Sequence, residues 1–124
     1  MRIAIATAIA VVAASAVDFT IQELARRAFA VAAEFEPFQG TVVPYTIGGV
    51  VLAGIAYAVL RRFVRDAQRA FLRLAIVALV LSWIPDVALL FINEPGATVP
   101  AVGSLMVMHA AAASIVVGAL RVAD

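Results

Sequence analysis

Three ionisable side chains stand inside stretches that are otherwise apolar: Asp18, Asp86 and His109. Inside a bilayer each such group costs about 2.5–3.5 kcal/mol on insertion scales, so each needs a partner or a task. Asp86 follows a proline in Ser82-Trp83-Ile84-Pro85-Asp86. Pro85 removes one backbone donor and crowds the carbonyl of Leu81, which predicts a kink there. The Ser82 hydroxyl is near enough to serve the freed carbonyl. A kink beside a carboxylate makes a polar pocket. His109 is the single histidine. It lies about 16 Å below the outer end of its segment and Asp86 about 9 Å below the end of its own, counting the helical rise per residue. The two side chains can therefore meet between packed helices. An Asp–His pair at that depth carries protons in some transporters; it is equally an interhelical hydrogen bond worth about 0.6 kcal/mol. Asp18, near the outer interface, reads as structural.

Other chemistry finds little support. The chain has no cysteine, so disulfides, thiolate metal sites and redox pairs are absent. Met106, Met108 and His109 offer soft donors, but Met108 falls off the helical face that Met106 and His109 share, and no metal or cofactor is expected. Phosphate-binding glycine loops, nucleophile elbows and basic runs interleaved with aromatics are missing, which argues against an enzyme and against nucleic acid as a partner.

The elements that hold these residues are membrane spans. Of 124 residues 65% are hydrophobic and only 14% charged, and the mean hydropathy is +1.09. A soluble domain carries about 25% charged residues, so the lipid bilayer is the solvent. A span needs about 20 mostly apolar residues. Four stretches qualify, at about residues 3–21, 41–60, 71–92 and 98–120. The expected fold is an all-α membrane protein, a four-transmembrane-helix bundle in one domain over 1–124. Between spans one and two, about residues 20–35, Glu23 and Arg27 stand at i,i+4 in the favoured order, and this reads as an amphipathic helical extension of span one on the outer side.

All nine basic residues are arginine. Arg2, Arg61, Arg62, Arg65, Arg69, Arg73 and Arg121 fall on one side of the four spans; only Arg26 and Arg27 fall on the other. The side rich in arginine is cytoplasmic. That predicts a prokaryotic cytoplasmic (inner) membrane protein with both termini on the cytoplasmic side. A competing reading takes Met1 to Ala16 as a secretory signal ending in Ala14-Ser15-Ala16, which leaves three spans.

The outer loops echo each other. Glu36-Pro37-Phe38-Gln39-Gly40-Thr41-Val42-Val43-Pro44 leads into span two and Glu94-Pro95-Gly96-Ala97-Thr98-Val99-Pro100 into span four. Spans one and three each carry a serine and then an aspartate, Ser15 with Asp18 and Ser82 with Asp86. The halves are two related helical hairpins, or else they converge on the same turn chemistry of glycine, threonine cap and first-turn proline. Small residues recur at helix-packing spacing: Ala6, Ala10 and Ala14; Gly49 and Gly54 in span two; Ala110 and Gly118 in span four. Helices approach closely through such faces in lipid.

Thr46-Ile47-Gly48-Gly49-Val50, Ser82-Trp83-Ile84-Pro85-Asp86 and Met108-His109 with the small residues that follow resemble a family of four-span prokaryotic membrane proteins of unknown function. The resemblance implies the four-helix architecture and marks the Pro-Asp and Met-His positions; it implies no activity. Two functional expectations follow. The first is an accessory or scaffold subunit that associates with itself or with another membrane protein. The second is a proton-coupled transporter or permeation unit using Asp86 and His109. They separate on whether those two side chains line a cavity or are sealed in a dry interface.

Overall fold

The computed structural model describes residues 2–123. Its helices are α1 (Arg2–Phe29), α2 (Val42–Phe63), α3 (Ala67–Ala88) and α4 (Val99–Val122), with a short 3-10 turn at Glu36–Phe38. All four are long and apolar enough to cross a membrane, and no strand occurs among the described residues. The protein is an all-α, four-span bundle. Its termini and the α2–α3 turn share one end; the two longer loops share the other.

The small-residue face sets the packing of α1. Its buried residues are Ala6, Ala10, Ala14, Asp18, Gln22 and Ala25, a stripe of nearly uniform four-residue spacing that lies on α4 and α2. At 28 residues the helix is about 42 Å long, some 12 Å more than the hydrocarbon needs. The extension expected beyond residue 20 is thus one unbroken helix as far as Phe29. There Ala30 takes a left-handed φ of 47° and stops it. The chain then folds back, with Phe35 and Phe38 buried against each other edge to face, centroids 5.1 Å apart. Arg26 holds this return in place. Its guanidinium donates to the carbonyl of Phe38 and lies 5.9 Å from the centre of that ring. Glu23 pairs with Arg26, at 3.4 Å, where the sequence spacing had pointed to Arg27.

Helix α3 lies four residues earlier than the 71–92 expected of it. Asp66 starts it, accepting the backbone N–H of Arg69 at 3.1 Å, an N-cap that outweighs the hydropathy boundary. The helix runs through Pro85 and unwinds at Ala88. Beyond Asp86 the backbone bonds tighten to i→i+3, Leu89 N–H to the Asp86 carbonyl at 3.2 Å and Leu90 N–H to that of Val87 at 3.1 Å. The Ser82 hydroxyl donates to the carbonyl of Leu79 at 2.6 Å, not to that of Leu81. Only Ala67, Phe71 and Asp86 of α3 are buried, so this helix touches the bundle near its two ends and leans away between them.

Two apolar clusters result. Toward the termini Ala10, Ala14, Val50, Tyr57, Phe71 and Leu120 pack together. Toward the loops Ala25, Phe35, Phe38, Val42, Leu105 and Met108 do so. The echo between the loops has a conformational basis: Gly40 and Gly96 both take left-handed backbone, with φ of +89° and +78°. Glycine meets that need without steric cost. At Gly96 a side chain would also stand 2.9 Å from the Cβ of Phe35.

Candidate functional site: a polar layer on the wall of a cleft

Between the two clusters each helix contributes one polar side chain: Asp18 from α1, Thr46 from α2, Asp86 from α3 and His109 from α4. Their positions follow from the packing stripes. Asp18 continues the series Ala6, Ala10, Ala14 one turn further, and Thr46 lies midway between the buried Val42 and Val50. Asp18 is 3% exposed, buried between the helices. Thr46 was quoted only within a motif; its place in the four-residue stripe of α2 is the signal that could have marked it.

Geometry divides the layer into two pairs. Across α1 and α2, Thr46 Oγ1 lies 2.7 Å from Asp18 Oδ2 and 2.8 Å from the carbonyl of Val42. A hydroxyl has one hydrogen, so it can donate to only one of these acceptors. Both contacts are hydrogen bonds at once only when Asp18 carries a proton and donates it to Thr46. Across α3 and α4, His109 Nδ1 lies 2.8 Å from Asp86 Oδ2, although neither atom makes a well-directed hydrogen bond. Asp86 lies closer to the end of its helix than the sequence reading had it. The helix ends at Ala88, which leaves Asp86 on its last turn, and α3 as a whole sits lower against α4, so the pair still meets. Trp83 fastens the same end of α3, its indole N–H donating to the carbonyl of Met106 at 3.0 Å.

Both pairs lie on the wall of one cleft of about 810 Å³. It opens where α3 leans away from α2. Small aliphatic residues form its sides, among them Gly49, Ala53, Ala56, Ala75 and Ala78, and Glu36, Tyr45 and Glu94 stand at the loop end. His109 shows 42% of its side chain and Asp86 10%. Toward the termini the cleft stops at Phe71, which stacks edge to face on Tyr57 with centroids 5.1 Å apart. A second cavity of about 310 Å³ lies beyond that pair, bounded by Asp66, Arg69 and Arg121. Phe71 is on the wall of both.

The residues singled out for helix packing separate. Gly54 is tight: a Cβ there would stand 2.4 Å from Thr7 Oγ1. Gly49 and Gly118 correct the expectation within this chain, since a side chain at either meets nothing within 4 Å. Ala110 is half-buried, and Pro85 is exposed on the wall of the cleft. Among the described residues no three His, Asp or Glu side chains converge as metal ligands do. The polar layer is spread along a wall, an arrangement suited to passing protons or holding a ligand.

The chain belongs to a family of unknown function (DUF6069), which matches residues 1–123. No curated protein and no solved structure matches it.

Proposed function

We propose that this member of the family works as a proton-coupled transport or permeation unit, with Asp86, His109 and Asp18 as its titrating groups. One observation carries the reading. The Asp–His pair lies on the wall of a cleft of about 810 Å³, and His109 shows 42% of its side chain. Carboxylates in a membrane interior are retained where they face a cavity and serve a pathway. The arginine distribution supports an orientation as well. Arg2, Arg61, Arg62, Arg65, Arg69 and Arg121 lie at or near the termini end of the bundle, so the termini are cytoplasmic and the loop end of the cleft faces outward. A fluorescent protein fused after Asp124 that matures only in the cytoplasm should be bright; a dark fusion reverses the orientation.

The test of activity uses purified protein in vesicles enclosing a pH-sensitive dye. Under an imposed pH gradient, proton movement above that of empty vesicles is expected, and Asp86→Asn should abolish it. Flux unchanged by Asp86→Asn, in a variant that stays folded, would end this reading. The accessory or self-associating reading would then lead. It draws on Gly48, exposed on α2 with open space above it, where a second helix could approach closely.

A further inference from the structure

We propose that the cleft binds a lipophilic monocation carrying an N–H donor, an ammonium-headed amphiphile, in competition with protons at Asp18 and Asp86. This rests on the transport reading and names its substrate class.

Charge comes first. The ionisable groups on the cleft wall are Asp18, Asp86, Glu36, Glu94, His109 and Tyr45, and no arginine is among them. Even with His109 protonated, ionised carboxylates outnumber cations. Of the two arginines at the loop end, Arg26 is committed to Glu23 and to the carbonyl of Phe38, and Arg27 does not line the cleft. A concave site of one charge sign with apolar walls focuses its field and concentrates the opposite charge. An anion would find His109 alone against four carboxyl groups.

Hydrogen bonding points the same way. Asp18 is 3% exposed, and its Oδ1 has no hydrogen-bond partner. A buried acceptor left unmade is costly, and what it lacks is a donor. A ligand that only accepts hydrogen bonds leaves Asp18 as it stands; an ammonium group supplies the missing N–H. The remaining wall, with Gly49, Ala53, Ala56, Ala75 and Ala78, suits a hydrocarbon or aromatic body, and the volume lies within the range of ordinary ligand sites.

Competition with protons follows from charge, because Oδ1 can accept in either state but only the ionised carboxylate neutralises an ammonium group. With Asp18 neutral, its proton goes to Thr46 Oγ1, and the threonine hydrogen goes to the Val42 carbonyl. With Asp18 ionised, the threonine hydrogen turns to Oδ2, and Oδ1 is free to accept from the ligand. The proton leaves to water at the cleft mouth as the cation arrives, so the charge of the site is conserved. The groups facing Asp18 are His109 from α4 and Asp86 from α3; α2 presents Thr46 and, at the mouth, Tyr45, with Glu36 and Glu94 from the loops.

Three probes sharing one ring system test this: 1-naphthylmethylammonium, 1-naphthylmethanol and 1-naphthoate. Each is titrated calorimetrically into the full chain in lipid nanodiscs and into empty nanodiscs. Saturable binding is expected for the ammonium alone, weakening by about tenfold or more between about pH 8 and about pH 5, over which the probe stays charged. Asp18→Asn and Asp86→Asn should each weaken it by about tenfold, and Gly49→Leu, which fills the cleft, should abolish it while the fold persists. Equal binding of the alcohol or the naphthoate would overturn the proposal. So would indifference to all three substitutions, or heats no larger than with empty nanodiscs, which would mean that acyl chains alone fill the cleft. Proton flux lost in Asp86→Asn without ammonium-selective binding removes the substrate class and leaves the transport reading. Ammonium-selective binding without flux upholds the site and removes transport.

Discussion

The two halves of this bundle are built on opposite principles. Toward the termini, Ala10 and Ala14 of α1 are fully buried beside Val116 and Leu120 of α4, and Tyr57 and Phe71 close the space between α2 and α3. Toward the loops α3 leans away and unwinds after Ala88, and the wedge of Phe35 and Phe38 packs on α1, α4 and the start of α2. The difference lies in which helices have small residues where they meet. The alanine stripe of α1 draws α4 close along much of its length, because in lipid close approach of backbones is a principal source of attraction. Helix α3 has no such inward stripe in its middle and buries only Ala67, Phe71 and Asp86. A helix fastened at two points and free between them leaves a cleft, and the polar layer lies where the tight half gives way to it.

The largest effect should come from adding volume to each half in turn. Ala10→Leu must push α1 off its neighbours and should cost about 3 kcal/mol, the upper range for overpacking. Gly49→Leu meets open space and should change stability by no more than about 0.5 kcal/mol. Reversible unfolding in mixed micelles measures both. Equal costs at the two sites would mean that the halves do not differ in packing.

Phe71→Ala probes the border between them. It removes the ring that separates the two cavities and should cost about 2 kcal/mol. That is below the ~3–5 of a soluble core, because lipid offers the unfolded ring an apolar refuge too. Its second consequence is the sharper one. With the barrier gone the two cavities join, and passive proton leak through reconstituted vesicles should rise above wild type. A loss of stability with unchanged leak would make the Tyr57–Phe71 pair a structural plug only.

Much of the tight half was legible in the sequence, and the looser half was not, for a physical reason. Ala6, Ala10 and Ala14 announce a close face by type and spacing alone. The same arithmetic, carried one turn further, reaches Asp18, and its counterpart on α2 reaches Thr46. The count stopped at Ala14 because it was taken over small residues alone, and the stripe continues in polar ones. Asp86 and His109 stood out as polar residues in apolar stretches, but their meeting depends on where α3 ends. That is decided by Asp66 as a cap and by Pro85, three residues before Ala88, and not by apolar length. The cleft had no sequence signature. It arises from α3 leaning, a property of helix pairs and not of any one segment. Arg26 shows the same limit on a smaller scale: i,i+4 spacing favours Arg27 as the partner of Glu23, but the guanidinium of Arg26 can also reach the Phe38 carbonyl, and that long-range bond decides the choice.

The smallest effect sharpens the comparison from the loop side. Ala30 ends α1 with φ of 47°, a conformation that costs an L-residue about 1–2 kcal/mol and that glycine adopts freely. Ala30 is exposed, so replacing it removes no packing. Ala30→Gly should therefore stabilise the protein by about 0.5–1 kcal/mol, once the greater chain entropy of glycine in the unfolded state is subtracted. The gain should be local. Amide exchange in the Phe35–Phe38 return and the last turns of α1 should slow, while exchange around Tyr57 and Leu120 stays as it was. If protection rises equally at both ends, the bundle opens as a single unit, and the contrast between its halves is one of shape alone. If it rises only beside the loops, the half that holds the cleft also opens on its own, as access to a site of this kind would require.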